Sequence, residues 1–132
     1  MGTATVITTA GAAIQAKRMV GATPTQTEPK YVAMGVGGGT TRTAAIGDTA
    51  LTTPVETRTT GTASTTITTY ANDTYQVVGT IAATTARAID EAGLFDQLAL
   101  GGNLMISATF PVQNLLNGDS IQFTFNNKFV PA

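Results

Sequence analysis

Two stretches of the last third alternate apolar and polar residues with a period of two, a pattern that strands satisfy and helices do not. In the first, Leu104, Ile106, Ala108 and Phe110 alternate with Met105, Ser107 and Thr109. In the second, Ile121, Phe123, Phe125 and Phe129 alternate with Gln122, Thr124, Asn126 and Lys128. Successive side chains of a strand point to opposite faces, so each stretch predicts one face against a core and one toward water. Burying the four large apolar side chains of the second stretch would contribute about 1.5–3 kcal/mol each, before entropy is subtracted. Asn117-Gly118, between the two, is a tight-turn signal.

The same reading extends upstream. "KYVAMGV" (30–36), "VETRTT" and "STTITTY" read as strands, and "TYQVVGTIA" (74–82) follows the turn "AND", which predicts a hairpin over 64–82. In its second arm Tyr75, Val77, Gly79 and Ile81 share one face. Threonine, roughly a fifth of the chain, prefers strands because of its β-branch. One helix is expected, in "TTAGAAIQAKRMVG". Thr8 or Thr9 caps its start, Lys17 and Arg18 suit its negative end, and Gly21 closes it. Its apolar face, with Ala10, Ala13, Ile14 and Val20, would pack on its own domain or on a partner. Seven or eight short strands with closely spaced turns predict an all-β chain: a single-domain β-sandwich over 1–132, jelly-roll-like, with one short N-terminal helix. Residues 1–8 would form a short strand or an arm, and "ATPTQTEP" (22–29) a linker.

Composition removes most chemistry. The chain has no cysteine and no histidine, which excludes disulfides, thiolate nucleophiles, Ser-His-Asp triads and the commonest metal ligands. Its serines are Ser64, Ser107 and Ser120, without a lysine motif beside them. Net charge is −1 and only 11% of residues are charged, so no basic stripe exists to displace counterions from nucleic-acid phosphates. No apolar run approaches the ~20 residues of a membrane span. The opening lacks a signal-peptide pattern, and Val6 stands where a myristoylation motif needs Ser or Thr. A protein synthesised in the cytoplasm, without cofactor or membrane partner, is expected.

"AIDEAGLFD" (88–96) concentrates Asp90, Glu91 and Asp96 in a chain with eight acids. On a strand, the neighbours Asp90 and Glu91 diverge, which is unsuited to a glycosidase pair. The spacing also misses the calcium-loop pattern. The expectation is a strand whose Ile89, Leu94 and Phe95 enter the core, whose acids face water, and which bends at Gly93. "GVGGGTTRT" (35–43) lacks the lysine of a phosphate loop and reads as a flexible loop. Asn72-Asp73-Thr74 matches a glycosylation sequon and reads as a turn.

The run "KYVAMGVGGGTT…DTALTTPVETR…TYQVVGTIAATTARAIDEAGLFD…GGNLMISATFPVQNLLNGDSIQFTF" resembles small tailed-phage virion proteins of the head decoration, or capsid cement, type. Some of these relatives carry tail-fibre labels. The resemblance spans about Ile7 to Phe129. It implies a jelly-roll-like sandwich that oligomerises on the capsid exterior, after synthesis in the host cytoplasm, and bridges subunits of the major capsid protein. A homo-oligomer is expected, a dimer ahead of a trimer, with no enzymatic activity. The segments least committed to a core, Thr5, Val6 and Ile7 with the loop of Gly37, Gly38, Gly39 and Arg42, are the expected partner contacts. A tail, baseplate or fibre-associated virion component is the first alternative, and a carbohydrate-binding sandwich for host attachment a more distant one.

Overall fold

The computed structural model describes residues 3–21, 27–37 and 43–129. Nine elements follow in order: β1 (Ala4–Ile7), α1 (Thr9–Met19), β2 (Tyr31–Val36), β3 (Thr53–Thr60), β4 (Thr62–Thr66), β5 (Thr74–Ala82), β6 (Arg87–Phe95), β7 (Leu104–Leu115) and β8 (Ser120–Lys128). The strands form two antiparallel sheets, ordered β1-β7-β6-β2-β3 and β4-β5-β8. An all-β sandwich with one short helix is therefore the fold that the alternation predicts. Local patterning gives no hint of the uneven division, five strands to three.

Both turn signals hold, with different consequences. The loop 67–73 closes the predicted hairpin, β4 pairing with β5 from Thr66↔Thr74 to Thr62↔Val78. The turn at Asn117-Gly118 instead carries the chain from β7 in one sheet to β8 in the other.

The core lies between the sheets. Register aligns Val32, Leu94 and Ile106 in one row and Met34, Ala92 and Ala108 in the next. These rows meet Val77, Ile81 and Phe125 of the smaller sheet. Of these four, only Phe125 is buried; Ile121 and Phe123 are half-buried, and Phe129, beyond the strand, is 46% exposed. The full burial expected for all four is thus not reached. β8 is one edge of the smaller sheet, which has too few strands to cover the larger one.

The reverse face of the larger sheet corrects a second expectation. Ser107 and Thr109 are buried, although alternation assigns them to water. Met105, assigned to water as well, packs in the main core, because a register shift between Leu94 and Phe95 turns Leu104 to the reverse face instead. Two pieces of chain lie along β7. Helix α1 lies on β7, where Thr8 caps the helix by accepting from the Gly11 amide at 3.1 Å. The Thr8 hydroxyl donates to the Leu104 carbonyl, and its amide to the Met105 carbonyl. Segment 43–53 crosses beside it. There the Ser107 hydroxyl donates to Asp48 at 2.7 Å, and Thr109 Oγ1 accepts from the Ala44 amide at 3.1 Å. Leu51 packs against Ala33, Phe95 and Leu104 in a small second core. The polar face is polar because it hydrogen-bonds to its cover.

Gly11 permits the helix to approach this closely: a Cβ there would stand 2.5 Å from the Met105 carbonyl oxygen and 3.0 Å from the Met105 side chain. Helix propensity alone favours Gly11→Ala by about 1 kcal/mol, but the clash with rigid backbone opposes it with about 1–3 kcal/mol. Gly11→Ala is therefore expected to lower stability in urea denaturation. An unchanged or raised midpoint would show that the helix can lift off without loss.

Candidate functional site

The three acids of "AIDEAGLFD" do not face water. Asp90, Glu91 and Asp96 are 1%, 0% and 4% exposed, because both faces of β6 are covered. Gly93 makes no bend; it sits within β6, paired with Ala33 and Ser107. A Cβ on Gly93 would lie 2.8 Å from the Leu104 side chain, 3.0 Å from the Phe95 ring and 3.2 Å from the Leu51 side chain, so the glycine makes room for the second core. Ile89, Leu94 and Phe95 enter the core as expected.

Two of these carboxylates hold backbone. Glu91 packs over Gly35, where a Cβ would strike its carboxylate, and Oε1 accepts from the Thr53 amide at 3.1 Å. It thus pins the entry to β3. Asp96 closes the connection between β6 and β7: Oδ1 accepts from the Asn103 amide at 2.7 Å and Oδ2 from Asn103 Nδ2 at 2.8 Å. Asp90 is buried at the register shift between Ile89 and Glu91.

Arg58 completes the clamp on that connection. Its Nη1 donates to the carbonyls of Gln97, Ala99 and Gly101 at 2.9, 2.8 and 2.9 Å. The guanidinium lies 3.6 Å from the centre of the Phe95 ring, in cation–π geometry. Burial lowers its pKa, while the charge of Asp96 raises it. Sequence reasoning missed Arg58, since one arginine in a threonine-rich strand carries no pattern. All three bonds leave one nitrogen with two hydrogens, so at least one hydrogen is shared; the planar guanidinium also stacks on the Phe95 ring.

Two further carboxylates tie loops. Glu56, at a left-handed φ of 63°, accepts from the Thr84 amide at 3.1 Å and from Arg87 Nε at 3.0 Å. The Thr84 amide, with help from Arg87, holds its pKa below the usual carboxylate value against the opposing effect of desolvation. Asp73 accepts from the amides of Thr68, Thr69 and Tyr70 at 2.9, 2.9 and 3.0 Å. Desolvation would raise its pKa, but these donors, Tyr70 foremost, outweigh it and hold the carboxyl well below the usual range. The sequon residues form a turn, as read, with Asn72 at a left-handed φ of 57°.

The expected partner contacts are placed unequally. Thr5, Val6 and Ile7 belong to β1, paired with Ala108, Ser107 and Ile106 of β7, and Ile7 packs against the main core. The segment is therefore a sheet edge, more committed to the fold than expected, with Thr5 exposed. Gly37 directly follows β2, whereas Gly38, Gly39 and Arg42 lie outside the described residues. Gly35, Glu91, Thr109 and Ala4 form one row across the sheet. The start of β1 and the end of β2 thus border the same end of the sheet, three strand spacings or ~14 Å apart.

One groove of about 490 Å³ opens between α1 and the sandwich, lined by Ile14, Met19, Tyr75, Met105, Asn127 and Phe129 among others. The apolar face of the helix divides there: Ile14 is buried on its own sheet, while Met19 and Val20 are each 80% exposed. Among the described residues no three His, Cys, Asp or Glu side chains converge as metal ligands would, and no helix is long and apolar enough to cross a membrane. Comparison with known proteins finds no matching family model, no matching curated protein and no matching solved structure.

Arg58→Ala removes a charged donor from three carbonyls and is expected to destabilise the chain by about 1.5–3 kcal/mol. It should also expose 97–102 to limited proteolysis, and Arg58→Lys should restore only part of the loss; full protection in Arg58→Ala would remove the clamp. For Asp73, the folded pKa lies below the unfolded value of about 3.9. Its stabilisation is present above about pH 4 and is lost as the pH falls toward the folded value. The melting temperature should fall below about pH 4, and Asp73→Asn should lower it at neutral pH while flattening that acid limb. An unaltered acid limb in Asp73→Asn would assign the fall to other carboxylates.

Proposed function

We propose that this chain is a structural protein of a tailed-phage virion. On this reading it decorates the outside of the head, acts as a homo-oligomer, and bridges subunits of the major capsid protein. The observation that carries the non-enzymatic part is where the polar side chains are engaged. Glu91, Asp96, Arg58, Glu56 and Asp73 all bond to the chain's own backbone or loops, which makes each a fastener. What faces outward is threonine-rich, weakly charged and suited to broad, shape-based contact. The resemblance from "KYVAMG" to "GDSIQFTF" supplies the virion setting. A decoration protein gains affinity by touching two capsomers at once, because the second contact becomes intramolecular.

The capsid-facing residues on this reading are Thr5, Val6 and Ile7 of β1 and Gly37, which border one end of the larger sheet, together with Gly38, Gly39 and Arg42. Cryo-electron microscopy of purified virions, with quantitative gels, tests the assignment. Many copies spread over the head are expected, with density against capsid subunits at Thr5 and Gly37. A few copies at the tail vertex would give the chain to the tail or baseplate instead. Head density turned the other way would remove the assigned contacts.

A further inference from the structure

Among the described strands, four are sheet edges: β1, β3, β4 and β8. Free edges invite pairing with other chains, and proteins blunt them by shortness, proline, bulges or charge. β1 has four residues and β4 five. β3 carries Pro54, the left-handed Glu56 and a register shift against β2. β8 has none of these devices. It runs for nine residues, without proline, and pairs with β5 from Thr74↔Lys128 to Ala82↔Ser120 with no shift. Its single charge, Lys128, is at its end.

The hydrogen bonds say which groups of β8 are offered. At one end the Phe129 amide donates to the Asp73 carbonyl, and at the other the Ala83 amide donates to the Asp119 carbonyl, both at 2.8 Å. Bonded pairs of an antiparallel ladder recur every second residue. Ile121, Phe123, Phe125 and Asn127 therefore bond to β5. The main-chain groups of Ser120, Gln122, Thr124, Asn126 and Lys128 point away from it, along the free edge, and their side chains are exposed. Beneath this edge is a cavity of about 130 Å³, bordered by Thr5, Phe110, Phe123 and Phe125. Phe123 stands 6.1 Å from Phe110 and 6.3 Å from Phe125, ring centre to ring centre.

We infer that this edge binds a second copy of the chain, β8 against β8, antiparallel about a two-fold axis at Thr124. That register uses all five outward residues. Ser120 faces Lys128 of the second copy, Gln122 faces Asn126, and Thr124 faces its own equivalent, which gives up to about ten main-chain hydrogen bonds. Charge selects the direction: Asp119 precedes the strand and Lys128 ends it. Antiparallel pairing brings unlike ends together, whereas parallel pairing would stack like on like. On the inner face, Phe123 comes beside Phe125 of the second copy, which continues the aromatic row over the open side of the sandwich. Two three-stranded sheets become one of six, and the symmetry is isologous and closed.

The inference gives the homo-oligomer of the preceding section a location, yet it is tested on the isolated full chain. Sedimentation should show a dimer. Thr124→Lys, which sets two ammonium groups against each other at the axis, should raise the dissociation constant at least about tenfold with unchanged far-UV circular dichroism. Because the chain has no cysteine, single replacements report the register. Thr124→Cys should oxidise to a symmetrical dimer. Ser120→Cys and Lys128→Cys should each dimerise without a disulfide when alone and cross-link when mixed. A monomer at all concentrations, a dimer indifferent to Thr124→Lys, or another cross-linking pattern would overturn the inference. Each of those results would leave head binding open. An intact β8 dimer that never locates to heads would overturn only the virion reading.

Discussion

The larger sheet depends on a hydrogen-bonded seam across its outer face. Ser107 to Asp48, Thr109 to the Ala44 amide and Glu91 to the Thr53 amide fasten segment 43–53 over β7, β6 and β2. Without that cover, the buried polar side chains of these strands would face open water, and Leu51 would have no place to pack. With it, the strands become central on both faces, and the small second core of Ala33, Leu51, Phe95 and Leu104 exists at all. The seam and the core beneath it explain two of the glycines: Gly35 leaves room for the Glu91 carboxylate, and Gly93 for Leu104, Phe95 and Leu51.

That seam marks the limit of what the sequence discloses. The strands of the last third, the 64–82 hairpin, the Thr8 cap and the Asp73 turn are all written in local pattern, and each is found. Alternation does not distinguish a serine that faces water from one that faces Asp48, because Ser107 reads the same in both cases. For the same reason local pattern places Asp90, Glu91 and Asp96 at a wet edge, where the fold buries them. The cover comes from residues far away in the chain, and no local rule reports it. Arg58 is the other kind of omission: its role depends on the loop at 97–101 lying beside β3, which only the fold brings about.

The distribution of polar groups bears on function as much as on stability. In an active site, acids and bases converge on a vacant position where a substrate can react. Here the conspicuous ones converge on amides and carbonyls of the chain itself. The outer surface carries threonine hydroxyls, scattered charges such as Lys17 and Arg18, exposed apolar residues such as Met19 and Leu100, and one long unguarded strand edge. The virion reading gives such a surface a setting in which many weak contacts, repeated over a lattice, act together.

The pairing of β1 with β7 also bears on how the chain reaches this state. Ala4 lies opposite Thr109, so β1 has its sheet neighbour about a hundred residues later in the chain. Helix α1 docks on the same late strand through Thr8 and Gly11. The larger sheet therefore cannot assemble progressively as the chain emerges; its N-terminal edge waits until β7 is present. Non-local closure of this kind slows folding, since loop entropy is lost before the contacts form. While it waits, the apolar face of the early strands stays open, and the weak charge that suits the finished surface gives little protection against premature association.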